Sequence, residues 1–158
     1  MPGEALLIGI ATIAVVVAGF AAIAPGLGSD RGWTAGQRFR LRSIVSTSFN
    51  VTFESLLPAV LFPAIDDART TIVVSSAIVF VYAVFIISVR TRQLVQAHVP
   101  WVPWTRFVAA SGTTATALFG LNALVFGSLT IYALALCIQL SVAAISFYSL
   151  AAGAESGG

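Results

Sequence analysis

Five apolar stretches of about twenty residues, set apart by short polar breaks, constrain this chain more than any other feature. A helix rises about 1.5 Å per residue, so about twenty residues cross a hydrocarbon core near 30 Å thick. The stretches fall at 5–24, 40–62, 70–89, 106–126 and 130–152. The first closes at Pro25-Gly26 and the second at Pro63. Only Gly127-Ser128 separates the last two, which makes them a tight antiparallel hairpin. Of the 158 residues, 58% are hydrophobic and 9% charged, against the roughly 25% charged share of a soluble domain. Fourteen charged side chains cannot cover a soluble surface of this size. The expected fold is an all-α integral membrane protein: a bundle of five transmembrane helices forming one domain over 1–152, with 153–158 as a flexible tail.

The charges set the expected orientation. Every basic residue is an arginine. Arg31, Arg38, Arg40, Arg42, Arg90, Arg92 and Arg106 lie at the first and third connections, and only Arg69, beside Asp66 and Asp67, lies at the second. By the positive-inside rule this split places the N-terminus outside and the C-terminus in the cytoplasm of a plasma-membrane protein. Trp33, Trp101 and Trp104 sit in the same arginine-rich connections, where amphipathic rings anchor at headgroup level. The net charge of +2 is therefore a topology signal, and no nucleic-acid partner is expected. Ala22-Ile23-Ala24 imitates a leader cleavage site, but Glu4 and the length of the apolar run favour a retained span. Cys137, the single cysteine, reads as a small packing residue.

Enzyme constellations are missing: one His, one Cys, no phosphate-cradling glycine loop and no pair of acids at helical spacing within a span. No enzyme activity, cofactor or metal is expected. His98 reads as a solvated loop side chain, with a pH sensor as its functional alternative. Asp66 and Asp67 read as an N-terminal cap on helix three, or alternatively as an outer rim that attracts cations.

Helix two carries the one unusual pattern. Arg40, Ser43, Thr47, Asn50 and Glu54 are spaced by three, four, three and four, so they form one stripe. Glu54 lies twelve residues beyond Arg42, roughly 18 Å along the axis and near the bilayer middle. A charged carboxylate there costs at least about 2.5–3.5 kcal/mol, so the group must be protonated, hydrogen-bonded, ion-bound or wet. The arginines lie only at the ends of the spans, so none is expected at that depth to pair with it. Tyr82 and Gln139 match its depth and are its expected partners, with Asn122 and Thr116 completing a supporting polar cluster. Pro58, one turn on, removes the backbone donor that the Glu54 carbonyl would use, leaving an acceptor suited to a cation or a water, or simply a bend. The bland alternative for the whole cluster is interhelical glue, which Ser, Thr or Asn could supply without the cost of an acid. Small-residue stripes on helix one (Ala11, Ala14, Ala18, Ala22), helix four (Gly112, Thr116, Gly120) and helix five (Ala133, Cys137, Ser141) read as packing faces.

Ile8 to Phe20, the run Leu41-Arg42-Ser43-Ile44-Val45 with Ser48, and Leu56-Leu57-Pro58 together resemble small uncharacterised prokaryotic multi-pass membrane proteins. The resemblance covers most of the chain, implies a prokaryotic membrane setting and implies no activity.

These residues support two expectations for function. The first is a homo-oligomeric, channel-like pore for small ions, with cations or protons favoured and the helix-two stripe stacked in rings around an axis. The second is a non-catalytic accessory or scaffold protein whose stripe is an assembly interface in the lipid bilayer. A small-substrate transporter ranks behind both, because five spans show no inverted repeat.

Overall fold

The computed structural model describes residue 1 and residues 3–27, 35–96 and 103–155. Among them there is no strand. The elements are α1 (Glu4–Leu27), α2 (Ala35–Ile65), α3 (Ala68–Gln96), α4 (Pro103–Leu121), a π-turn (Asn122–Phe126) that continues α4, and α5 (Leu129–Glu155). Five segments are long and apolar enough to cross a membrane: Glu4–Ile23, Leu41–Ile65, Ala68–Val89, Arg106–Phe126 and Leu129–Tyr148. The connections holding Arg31, Trp33, His98 and Trp101, and the last three residues of the expected tail, lie outside the described residues.

Two prolines expected to close helices do not. α1 runs through Pro25 to Leu27, and α2 runs through Pro63 to Ile65. A proline costs the helix the hydrogen bond to the carbonyl four residues earlier without preventing the next turn from following. α2 stops instead where Asp66 turns left-handed (φ 54°) and its N–H bonds the Phe62 carbonyl at 2.8 Å. Asp67 then caps α3, its Oδ2 accepting the Thr70 N–H at 2.7 Å.

The core gathers Leu7, Ile10 and Ala14 from α1, Val51 from α2, Ile72 and Val79 from α3, Phe119 from α4, and Tyr132, Ala135 and Leu136 from α5. Phe119 and Tyr132 meet edge to face, centroids 5.2 Å apart at 70°. The close approach of α1 to the bundle rests on alanines: Ala11, Ala14, Ala18 and Ala21 are buried, whereas Ala22 of the expected stripe is exposed. Cys137 and Ser141 of the α5 stripe also face outward.

Burial is uneven along the helices. α1, α2 and α5 have buried residues from Leu7 to Ala21, from Ile44 to Pro58 and from Tyr132 to Ser146. Among the described residues, α3 buries nothing beyond Val79 and α4 nothing before Ala115. Both therefore join the core only through the halves nearest the 66–67 and 127–128 turns. Their other halves leave Val81, Tyr82, Val84, Phe85 and Phe107 exposed. An exterior carrying Val60 at 70% and Leu124 at 86% exposure would be anomalous in water and is ordinary against lipid.

Candidate functional site

α2 presents two parallel lines to its neighbours. The deeper one is Ile44, Ser48, Val51, Ser55 and Pro58, all buried. The expected polar line, Ser43, Thr47, Asn50 and Glu54, runs beside it. Ser43, Thr47 and Asn50 are half-buried, while Glu54 is only 2% exposed. Arg40 belongs to α2, and its side chain lies outside the described residues. The offset follows from packing: Ile44 shares a core cluster with Ala21 of α1 and Val51 one with Ala14, while Asn50 and Glu54 reach Tyr82 of α3 and Gln139 of α5.

Glu54 is held twice by α5. Gln139 Nε2 donates to its carboxyl Oε2 at 2.8 Å. The Tyr132 hydroxyl donates to its backbone carbonyl at 2.6 Å. Pro58 has no N–H to offer that carbonyl, and Tyr132 supplies the missing donor from across the helix interface. The acceptor expected to suit a cation or a water is thus filled by protein. Tyr132 and Gln139 are seven residues apart, two turns of α5, so one face of that helix makes both contacts.

The other expected partners of Glu54 go elsewhere. Tyr82, expected at the depth of Glu54, instead donates to Asn50 Oδ1 at 3.2 Å, one turn of α2 nearer the arginine-rich end, while Glu54 is bonded from α5. Asn122 opens the π-turn near the 127–128 turn rather than at mid-span. There its Nδ2 donates to Ser76 Oγ at 2.9 Å and its Oδ1 accepts the Ser128 N–H at 2.8 Å. The Thr116 hydroxyl donates to the Gly112 carbonyl of its own helix at 2.8 Å. The supporting cluster is therefore three separate units: Glu54 with Tyr132 and Gln139, Asn50 with Tyr82, and Asn122 with Ser76 and Ser128. Asp66 and Asp67 are both exposed at the turn. Hydrogen bonds from Thr70, through its side chain and then its N–H, hold the Asp67 carboxyl below its ordinary value.

Sequence reasoning missed Tyr132. Its signal was Pro58, since an orphaned carbonyl at mid-span demands a donor, and a tyrosine on the Gln139 face of α5 can provide one. Among the described residues, two buried hydroxyls, Ser48 Oγ and Ser75 Oγ, find no hydrogen-bond partner. Among the described residues no group of His, Cys, Asp and Glu could hold a metal ion.

What these units can do chemically is limited. A buried glutamate whose carboxyl takes a bond from Gln139 and whose backbone carbonyl takes one from Tyr132 can lock α2 to α5. A half-exposed amide–phenol pair can bond to whatever covers it. No family matches this chain, and neither the curated proteins nor the solved structures yield a match.

Proposed function

We propose that this is a non-catalytic assembly protein of the plasma membrane, docking through the α2–α3 seam onto a second copy of itself. The Asn50–Tyr82 pair supports this reading. It lies about nine residues into the α2 span from Leu41, roughly 14 Å deep at 1.5 Å per residue, and the bond between the two side chains is exposed. The Asn50 amide N–H groups find no acceptor among the described residues. In hydrocarbon an unmet polar group costs several kcal/mol, so a surface bearing acceptors is favoured over lipid. A second copy presents those acceptors on its own Asn50 and Tyr82 in a two-fold arrangement.

Cysteine cross-linking in native membranes tests this, in a Cys137→Ala background. Asn50→Cys is expected to give a cross-linked dimer, and Val60→Cys, on the lipid face, is expected to give none. Monomer from both positions would overturn the assembly reading.

A second reading, the small-ion pore favouring cations or protons, draws on the half-exposed run of Ser43, Thr47 and Asn50 from the arginine-rich end to mid-span. Repeated around an axis, that run would line a polar path with Glu54 behind it rather than in it. Flux from liposomes holding the purified protein separates the two. Protein-dependent conductance lost in Asn50→Leu would move the assignment to the pore.

A further inference from the structure

We infer that the turn end of the bundle holds a zwitterionic phospholipid, its phosphate on Arg69 and its ammonium group facing Asp66 and Asp67. Arg69 lies at the start of α3, one residue inside the apolar segment that begins at Ala68, and makes no ion pair or hydrogen bond with any described residue, although its charge helps to hold the Asp67 carboxyl ionised. It is nevertheless held in place. A side chain at Gly127 would come within 3.1 Å of Arg69 Cγ and 3.2 Å of its Nε, so the glycine leaves the channel in which the arginine stem lies. Gly127 also needs its freedom for a positive φ of 57°.

A cavity opens on each side of this arginine. One, of about 340 Å³, is bounded by Ile72, Phe126 and Leu129. The other, of about 350 Å³, is bounded by Val73, Leu124 and Val125. Arg69 and Gly127 border both. Two grooves flanking one cation, the first mainly apolar and the second bordered by Thr70 as well as by apolar side chains, match a diacyl lipid, one chain to each groove and the phosphate between them. The π-turn widens the end of α4 so that Leu124 stands 86% exposed beside the second groove, where it would lie along an acyl chain.

The local charge selects the headgroup. Among the described residues Arg69 is the one basic side chain that borders these cavities; the Met1 ammonium borders the first and is paired with Glu4 at 3.1 Å, and Asp66 and Asp67 lie within three residues of Arg69. With Met1 and Glu4 offsetting each other, a purely anionic headgroup would meet two carboxylates for one guanidinium. A headgroup that carries an ammonium beyond its phosphate meets opposite charge at both positions, with the planar fork of Arg69 suited to the phosphate oxygens.

Native mass spectrometry of the purified protein, with added phosphatidylethanolamine, phosphatidylglycerol or inorganic phosphate, tests the site. The expected result is one phosphatidylethanolamine retained per chain, at least tenfold weaker retention in Arg69→Gln, and weakened preference over phosphatidylglycerol in Asp66→Asn. Asparagine tolerates the left-handed backbone at position 66, so that variant changes charge without strain. Helix content by circular dichroism confirms that both variants fold. Equal retention by Arg69→Gln would overturn the inference. So would tighter binding of phosphatidylglycerol than phosphatidylethanolamine by the unmodified protein, or displacement of the lipid by inorganic phosphate.

Discussion

Gln139 on α5 donates to the Glu54 carboxyl on α2 at 2.8 Å, joining the two helices at mid-span through residues 85 apart in the chain. The bond gives an expensive side chain a structural purpose. A buried acid with a fixed donor ties α2 to one rotational setting against α5, because turning either helix by one residue would leave the carboxyl facing hydrocarbon.

Replacing the two partners should therefore have unequal effects. Gln139→Leu leaves the Glu54 carboxyl without its donor and is expected to destabilise the protein by about 1–3 kcal/mol. Glu54→Gln keeps the shape and an acceptor for Gln139, so it is expected to cost less than about 1 kcal/mol. Thermal or denaturant unfolding in detergent micelles measures both. A Glu54→Gln variant less stable than Gln139→Leu would show that the charge, and not the hydrogen bond, is what the bundle needs.

The Tyr132 contact makes a sharper prediction because its cause is covalent. Tyr132→Phe removes one hydroxyl, keeps the ring against Phe119, and orphans the Glu54 carbonyl. The expected cost is about 1–3 kcal/mol. Pro58→Ala restores an N–H to that carbonyl within α2, so adding it to Tyr132→Phe should recover about 1 kcal/mol or more. The double-mutant cycle isolates this coupling, and additive effects would refute the substitution of one donor for the other.

Depth was legible in the sequence for Glu54 and Gln139 but not for Asn122, which lies by the 127–128 turn, and rotation was not legible at all. Apolar run length located all five spans, and counting 1.5 Å per residue brought Glu54 and Gln139 to one level, where they meet. The same count brought Tyr82 there too, yet its phenol goes to Asn50. Which face of a helix looks at which neighbour depends on packing between helices, and the small, similar apolar side chains here encode that weakly. α1 shows the problem: Ala21 and Ala22 are chemically identical in sequence, and only one is buried. The withdrawal of α3 beyond Val79 left no mark either, since a lipid-facing and a core-facing apolar residue look alike.

At the opposite end of α4, Asn122 joins three segments. Its side chain bonds Ser76 on α3 and the Ser128 N–H before α5, and the Gly127 N–H returns to its carbonyl at 2.8 Å. Asn122→Ala loses both side-chain bonds at a fully buried position and is expected to cost about 2 kcal/mol or more. Gly127→Ala meets Val73 Cγ2 at 2.9 Å as well as a positive φ, and is expected to cost a similar amount. Hydrogen exchange should show faster opening of the α4–α5 hairpin in both variants, with the amides of α1 unchanged.

Asp67 gives the chain an acid-sensitive element whose sign is fixed by its cap. Hydrogen bonds from Thr70 favour the ionised carboxylate, so its value in the folded protein lies below that of the unfolded chain. The stabilisation is then fully present above the unfolded value and is lost as pH falls through the folded one. Acidification below the ordinary carboxylate range should lower the unfolding temperature of the unmodified protein. Asp67→Asn retains an acceptor for the Thr70 N–H but does not titrate, so its unfolding temperature should be lower at neutral pH and should fall less on acidification. Asp66 provides the control, since it ends α2 through its backbone and the Thr70 bonds reach only Asp67. Asp66→Asn should leave the acid response intact. An acid response that survives Asp67→Asn unchanged would place the titrating group elsewhere.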